Sequence, residues 1–159
     1  MSDFRFLEQF KVIDVNQDSA LDHKLYSENL SDIAISEDKL GFPLPKELKD
    51  FYTQIGYGFF WQLNKSSFDR FLAADQVAQI NLKEDFYEFD PDLELYDQLY
   101  HGDKLLFFEV NEGIYLAIDK KDENGKNAIY YFKDKIADSL ESFIKDFINN
   151  ENLLKDFSQ

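Results

Sequence analysis

Side chains able to do covalent or acid–base chemistry are few in this sequence. Its 159 residues hold no Cys and two His, His23 and His101. A thiolate nucleophile, a disulfide framework and a thiolate metal centre are therefore excluded. A zinc site would need mostly carboxylates, an uncommon donor set. Carboxylates are abundant, 32 Asp and Glu against 17 Lys and Arg, but an acid–base pair needs a set separation across a cleft, which linear spacing does not encode. Asp14-x-Asn16-x-Asp18 opens like a calcium loop. Ser19 then stands at the sixth position, where that loop needs Gly, and Leu25 at the twelfth, where it needs a bidentate Glu. Gly56-x-Gly58 follows an amphipathic stretch, whereas a phosphate-cradling loop must lead into a helix. The expectation is a chain that is not an enzyme and has no cofactor or metal site.

Binding is the chemistry that remains. A formal net charge of −15 repels nucleic acid and anionic lipid and favours a basic partner; it also serves simply to keep a protein dissolved. The most acidic segment contains Glu84, Asp85, Glu88, Asp90, Asp92, Glu94 and Asp97 with no Lys or Arg among them. Asp90 suits a helix N-cap, Pro91 a first helical position, and Asp92 and Glu94 a first turn, where the helix dipole favours negative charge. That leaves Glu84, Asp85, Glu88 and Asp97 as a solvated face or a docking surface for a basic protein. Trp61, the one Trp, clusters with Tyr57, Phe59 and Phe60. The cluster reads as core, with Tyr57 or Trp61 the alternative as an interface anchor. His101 reads as a cation at a helix end and His23 as a polar-loop residue. The N-terminus shows no basic region followed by an apolar run, so a cytoplasmic, unexported protein is expected.

The elements that must position these residues centre on Ser36–Trp61. Ser36 is expected to cap a turn over Glu37–Leu40. Pro45 then opens a helix whose apolar face is Leu44, Leu48, Phe51, Tyr52 and Ile55. Gly56 and Gly58 are expected to end it, before a strand at Phe59–Trp61. Phe4, Leu7 and Phe10 suggest a short N-terminal helix, and residues 14–24 a loop. Phe68–Leu72 reads as a strand leading into a helix with Ala74, Val77, Ala78 and Leu82 on its stripe. A helix from Pro91 buries Leu93, Tyr96 and Tyr100 and stops at Gly102. Runs at 105–110, 114–118 and 128–132, joined at Asn111-Glu112-Gly113 and by a loop containing Asn124-Gly125, predict a three-stranded antiparallel meander. Asp138-x-x-Glu141 predicts the cap of a closing helix with Leu140, Phe143, Ile144, Phe147 and Ile148 inward. Together these give a single α+β domain over residues 1–159, an antiparallel meander with helices packed on one face and at the edges.

The order of these pieces resembles the SUKH superfamily, which includes fungal cell-wall-assembly regulators and bacterial immunity proteins. The likeness rests on Leu40, Gly41, Leu44, Pro45, Leu48, Phe51, Tyr52, Ile55, Gly56 and Gly58, and continues through Arg70-Phe71-Leu72. It then takes in Ile118-Asp119, Ile129–Phe132 and Ser139, Leu140, Glu141 and Phe143, spanning residues 31–148. The resemblance implies a non-enzymatic binding protein, either an immunity protein that neutralises a toxin, often a nuclease, or an intracellular regulatory scaffold for an endogenous protein.

Overall fold

Seven strands, each antiparallel to the one before it, form one sheet in the order of the chain. The structure, a computed structural model, describes residues 2–13, 22–62, 69–110 and 113–156, with Phe86 described by its backbone alone. The strands are β1 (Lys24–Tyr26), β2 (Tyr57–Phe60), β3 (Asp69–Phe71), β4 (Lys104–Val110), β5 (Ile114–Asp119), β6 (Ile129–Tyr131) and β7 (Asp134–Ala137). Helices α1 (Leu30–Leu40) and α2 (Lys46–Gln54) lie between β1 and β2. Helices α3 (Ala74–Leu82) and α4 (Pro91–Tyr100) lie between β3 and β4, and α5 (Leu140–Asn149) follows β7. This is the expected α+β class. The expected meander is its β4–β6 portion, which extends to seven strands.

Register decides which side chains meet. Leu25 pairs with Gly58, Gly58 with Phe71, Phe71 with Phe108 and Phe108 with Leu116, so these residues and Phe60, two along from Gly58, share one face. Helices α2 and α5 cover it. Phe51 stacks on Phe71 with centroids 4.0 Å apart, and Phe147 meets Phe60 and Phe108 at 5.6 and 5.7 Å. Leu44, Leu48, Phe51, Tyr52, Ile55, Leu140, Phe143, Ile144 and Phe147 are all buried, as the periodicity predicts. On the opposite face Arg70 pairs with Glu109 at 2.7 Å. There α4 places the Tyr96 ring 6.0 Å from that of Tyr115, and the Tyr96 hydroxyl accepts the Tyr115 N–H at 2.9 Å.

Several local expectations are corrected. Gly58 does not terminate α2 but lies in β2; the helix ends at Gln54 with Ile55 as its C-cap, and Gly56 follows, its N–H donating to the Phe51 carbonyl at 3.1 Å. At φ +136° and +151°, a Cβ on Gly56 and Gly58 would lie 1.8 Å from the Tyr26 carbonyl oxygen and 2.0 Å from that of Lys24. They are glycines so that β1 can pair with β2. Strand β1 itself begins inside the stretch read as loop, since three residues are too few to show a period. Ser36 lies within α1, whose cap is Asn29, its side chain accepting the Ser31 N–H at 2.9 Å. Leu30 and Ile35 are exposed, which broke the apolar stripe that would have marked this helix. Pro45 is the N-cap of α2, one position earlier than expected. Leu82 is exposed and Ile80 buried in its place. Ser139, not Asp138, caps α5, accepting the Ser142 N–H at 3.0 Å, while Asp138 pairs with Lys135 at 2.9 Å. Asn124 and Gly125 take the positive φ of a tight turn, as predicted. The Asp14-Asn16-Asp18 spacing and the Asn111-Glu112 turn fall outside the described residues.

Candidate partner-binding surface

Helices α1 and α3 run side by side in the same direction. The Glu28 carboxylate, just before α1, accepts the Ala74 N–H at the start of α3 at 3.0 Å, and Lys39 near the end of α1 pairs with Glu84 beyond α3 at 3.9 Å. A 3-10 turn over Asp85–Tyr87 leads on to α4, whose Asp97 pairs back to Lys83. Residues 28–39 and 74–97 hold twelve carboxylates against Lys39 and Lys83 alone, and so carry most of the net charge of −15. This side of the molecule is an acidic wall.

The four candidate carboxylates of the sequence divide in two. Glu84 and Asp97 are each matched by a lysine. Asp85 and Glu88 make no ion pair among the described residues and face solvent, as do Asp92 and Glu94. Asp90 caps α4 as expected, accepting the Asp92 N–H at 2.9 Å.

Tyr57 and Trp61 also separate. Tyr57 lines a cavity of about 270 Å³ with Glu28, Asp32 and Asp75, which places it at the margin of the acidic wall. Burial raises the pKa of the Glu28 carboxyl, and Asp75 and Asp32 add to the effect. These carboxylates lie far from Tyr57 in the chain, so no sequence spacing marked them. Trp61 turns inward: its indole N–H donates to the Phe147 carbonyl at 3.0 Å and its backbone N–H donates to His23 Nδ1 at 3.0 Å. His23 is not a polar-loop residue but is buried, its ring 4.7 Å from those of Phe10 and Trp61.

A second cleft, of about 840 Å³, opens where β4 begins and β5 ends. Asp119 there pairs with Lys104 at 2.9 Å, and Lys104 Nζ sits 4.0 Å from the centroid of the Tyr130 ring. Lys120 lies over Phe42 at 4.1 Å, and burial lowers its pKa. Charges of both signs alternate around this cleft, so it selects no one sign of ligand. Among the described residues no group of three or more His, Asp or Glu is placed to hold a metal ion, and no helix is long and apolar enough to cross a membrane.

The wall apart from Glu28, the paired glycines and the β4–β6 meander all lie within the span that matches a known family profile, residues 29–146. The chain belongs to the SMI1 / KNR4 family (SUKH-1). The matched span of this SUKH-1 chain starts at the cap of α1 and ends inside α5, close to the 31–148 expected from sequence. A relative, "Immunity protein YxxD" of Bacillus subtilis (strain 168), is 37% identical over 137 residues, covering 85% of this SUKH-1 chain and 90% of the relative. No solved structure matches it significantly.

Proposed function

We propose that this chain is an immunity protein that acts as one unit in the cytoplasm and neutralises a cognate toxin by binding it directly, without catalysis. The observation that carries this reading is the similarity, over nearly all of both chains, to a relative named as an immunity protein. The acidic wall supports the nature of the partner: a basic protein, such as a nuclease. Opposite charge on the two surfaces raises the association rate by about one to three orders of magnitude and disfavours nucleic acid and membrane as partners. Asp85, Glu88 and Tyr57 are the first contact residues of this reading, with the lysine-paired Glu84 and Asp97 behind them, while Trp61 is held inward by its bonds to Phe147 and His23.

The test is co-expression with the toxic genes of the chain's own locus, scored by rescue of growth. Rescue that persists when Asp85 and Glu88 are neutralised, with an association rate indifferent to salt, would remove the electrostatic half of the reading. Failure to rescue against every such gene would shift it to the alternative, a regulatory scaffold for an endogenous protein.

A further inference from the structure

We propose that Phe89 is the anchor of the acidic wall, an aromatic side chain that enters an apolar pocket ringed by Lys and Arg on a cationic protein partner; this rests on the immunity reading above. Phe89 is 86% exposed, and no other described Phe side chain is exposed. A large aromatic left in water between acidic neighbours fits an interface hot spot, where a buried aromatic is ringed by polar groups that exclude solvent.

The position is built rather than frayed. The backbone N–H groups of Tyr87, Glu88 and Asp90 donate to the carbonyls of Glu84, Asp85 and Tyr87 at 3.0, 3.2 and 3.4 Å, so turns hold the chain on both sides of Phe89 before Asp90 caps α4. Lys83, at φ 55°, is the left-handed C-cap that ends α3, and Asp85, at φ 50°, opens the 3-10 turn after it. Neither device buries Phe89.

Charge selects the occupant. Glu88 and Asp90 flank Phe89 directly, Asp85 precedes them, and Asp92 and Glu94 follow on the same segment. A second copy of this chain would set acid against acid, and an anionic bilayer would be repelled. A basic protein surface meets both the apolar and the charged demand.

The probe is the purified, inactivated product of the toxic gene at the chain's own locus, with binding kinetics followed from about 50 to about 500 mM salt, a range that collapses the Debye length. Phe89→Ser should raise Kd by about 30-fold or more, chiefly through faster dissociation and with no change in Tm, as expected of a truncated hot spot. Asp85→Asn with Glu88→Gln should instead slow association and flatten its salt dependence, leaving dissociation near the wild-type rate. Phe89→Ser within about threefold of the wild-type Kd, the scatter of a neutral interface position, would overturn this inference alone. No binding by the wild-type chain would overturn it together with the immunity reading. A concentration-dependent dimer that Phe89→Ser converts to monomer would assign the surface to self-association and overturn the cationic partner.

Discussion

Glu47 is a fully buried carboxylate whose two oxygens replace a salt bridge with four donors. One accepts the N–H groups of Asn127 and Leu140 at 2.6 and 2.9 Å; the other accepts the Ser2 hydroxyl and the Glu141 N–H at 2.7 and 3.2 Å. Leu140 and Glu141 open α5, so the charge sits where that helix leaves unpaired N–H groups and a positive dipole end. Asn127 closes the link, its side-chain oxygen accepting the Glu47 N–H at 3.0 Å. Replacing Glu47 by Ala strands three backbone donors, each costing about 1–3 kcal/mol when buried. Glu47→Ala should therefore destabilise the fold by about 3 kcal/mol or more, and Glu47→Gln by less, since one acceptor survives. Urea unfolding would show this as a lower midpoint at unchanged slope. A loss below about 1 kcal/mol for Ala would mean that water enters to satisfy the same donors. Nothing in the sequence marked Glu47, because a Glu in the first turn of an amphipathic helix ordinarily faces solvent and its partners lie 45 to 94 positions away.

At the scale of elements, the union of β1 with β2 depends on two missing side chains. Gly58→Ala must push its Cβ against the Lys24 carbonyl, at 2.0 Å in the present geometry, and Gly56→Ala meets Tyr26 likewise. Each should displace β1 and cost well above 1 kcal/mol, in the range of strained-backbone substitutions. Amide exchange at Lys24–Tyr26 should then approach that of a loop while α5 stays protected. Gly41→Ala is the control: its Cβ would meet nothing within 4 Å, so only the left-handed φ is penalised, by about 1 kcal/mol. Equal losses at Gly41 and Gly58 would sink the close-approach explanation. The same contrast explains what was legible beforehand. Helices α2, α4 and α5 and strands β4 to β6 bury local, periodic stripes such as Leu48, Phe51, Tyr52 and Leu93, Tyr96, Tyr100, and periodicity finds them. Strands β1 and β7 have three and four residues, and both are fixed by pairing with strands whose own positions must first be known. Helix α1 exposes Leu30 and Ile35 and buries Ser36, which inverts the usual pattern. The acidic segment was legible as charge. Its division into lysine-matched Glu84 and Asp97 and uncompensated Asp85 and Glu88 was not, because Lys39 and Lys83 reach it only through the packing of α1, α3 and α4.

Across the whole molecule, Glu47, Asp69 and Glu109 are the buried carboxylates among the described residues, and the aromatic interior around them contains phenols as well as Phe. Tyr52, Tyr96, Tyr100 and Tyr115 are buried. The Tyr52 hydroxyl donates to the Leu72 carbonyl at 2.6 Å and that of Tyr100 to the Phe132 carbonyl at 2.8 Å. Burial disfavours the phenolate at each, raising all four above the ordinary value of 10.0, with Tyr96 pushed up to about 12. The folded chain therefore holds these protons more tightly than the unfolded chain. Their contribution to stability is complete below pH 10.0 and declines as pH rises above it, that of Tyr96 being lost by about 12 and those of the other three at higher pH, because the unfolded state binds fewer protons throughout that window. With several sites drawing on one core, the decline should be steep. Phenolate absorbance should appear in a cooperative step that coincides with loss of near-ultraviolet circular dichroism, after a smaller, gradual rise from the more exposed tyrosines. Tyr100→Phe should move that step to higher pH, since it removes one group that gains by ionising in the unfolded chain, at the cost of the bond to Phe132. Complete ionisation of the tyrosines near pH 10 with the fold intact would show instead that the phenols are open to water and that the interior is less tightly closed than the packing of α4 on β5 requires.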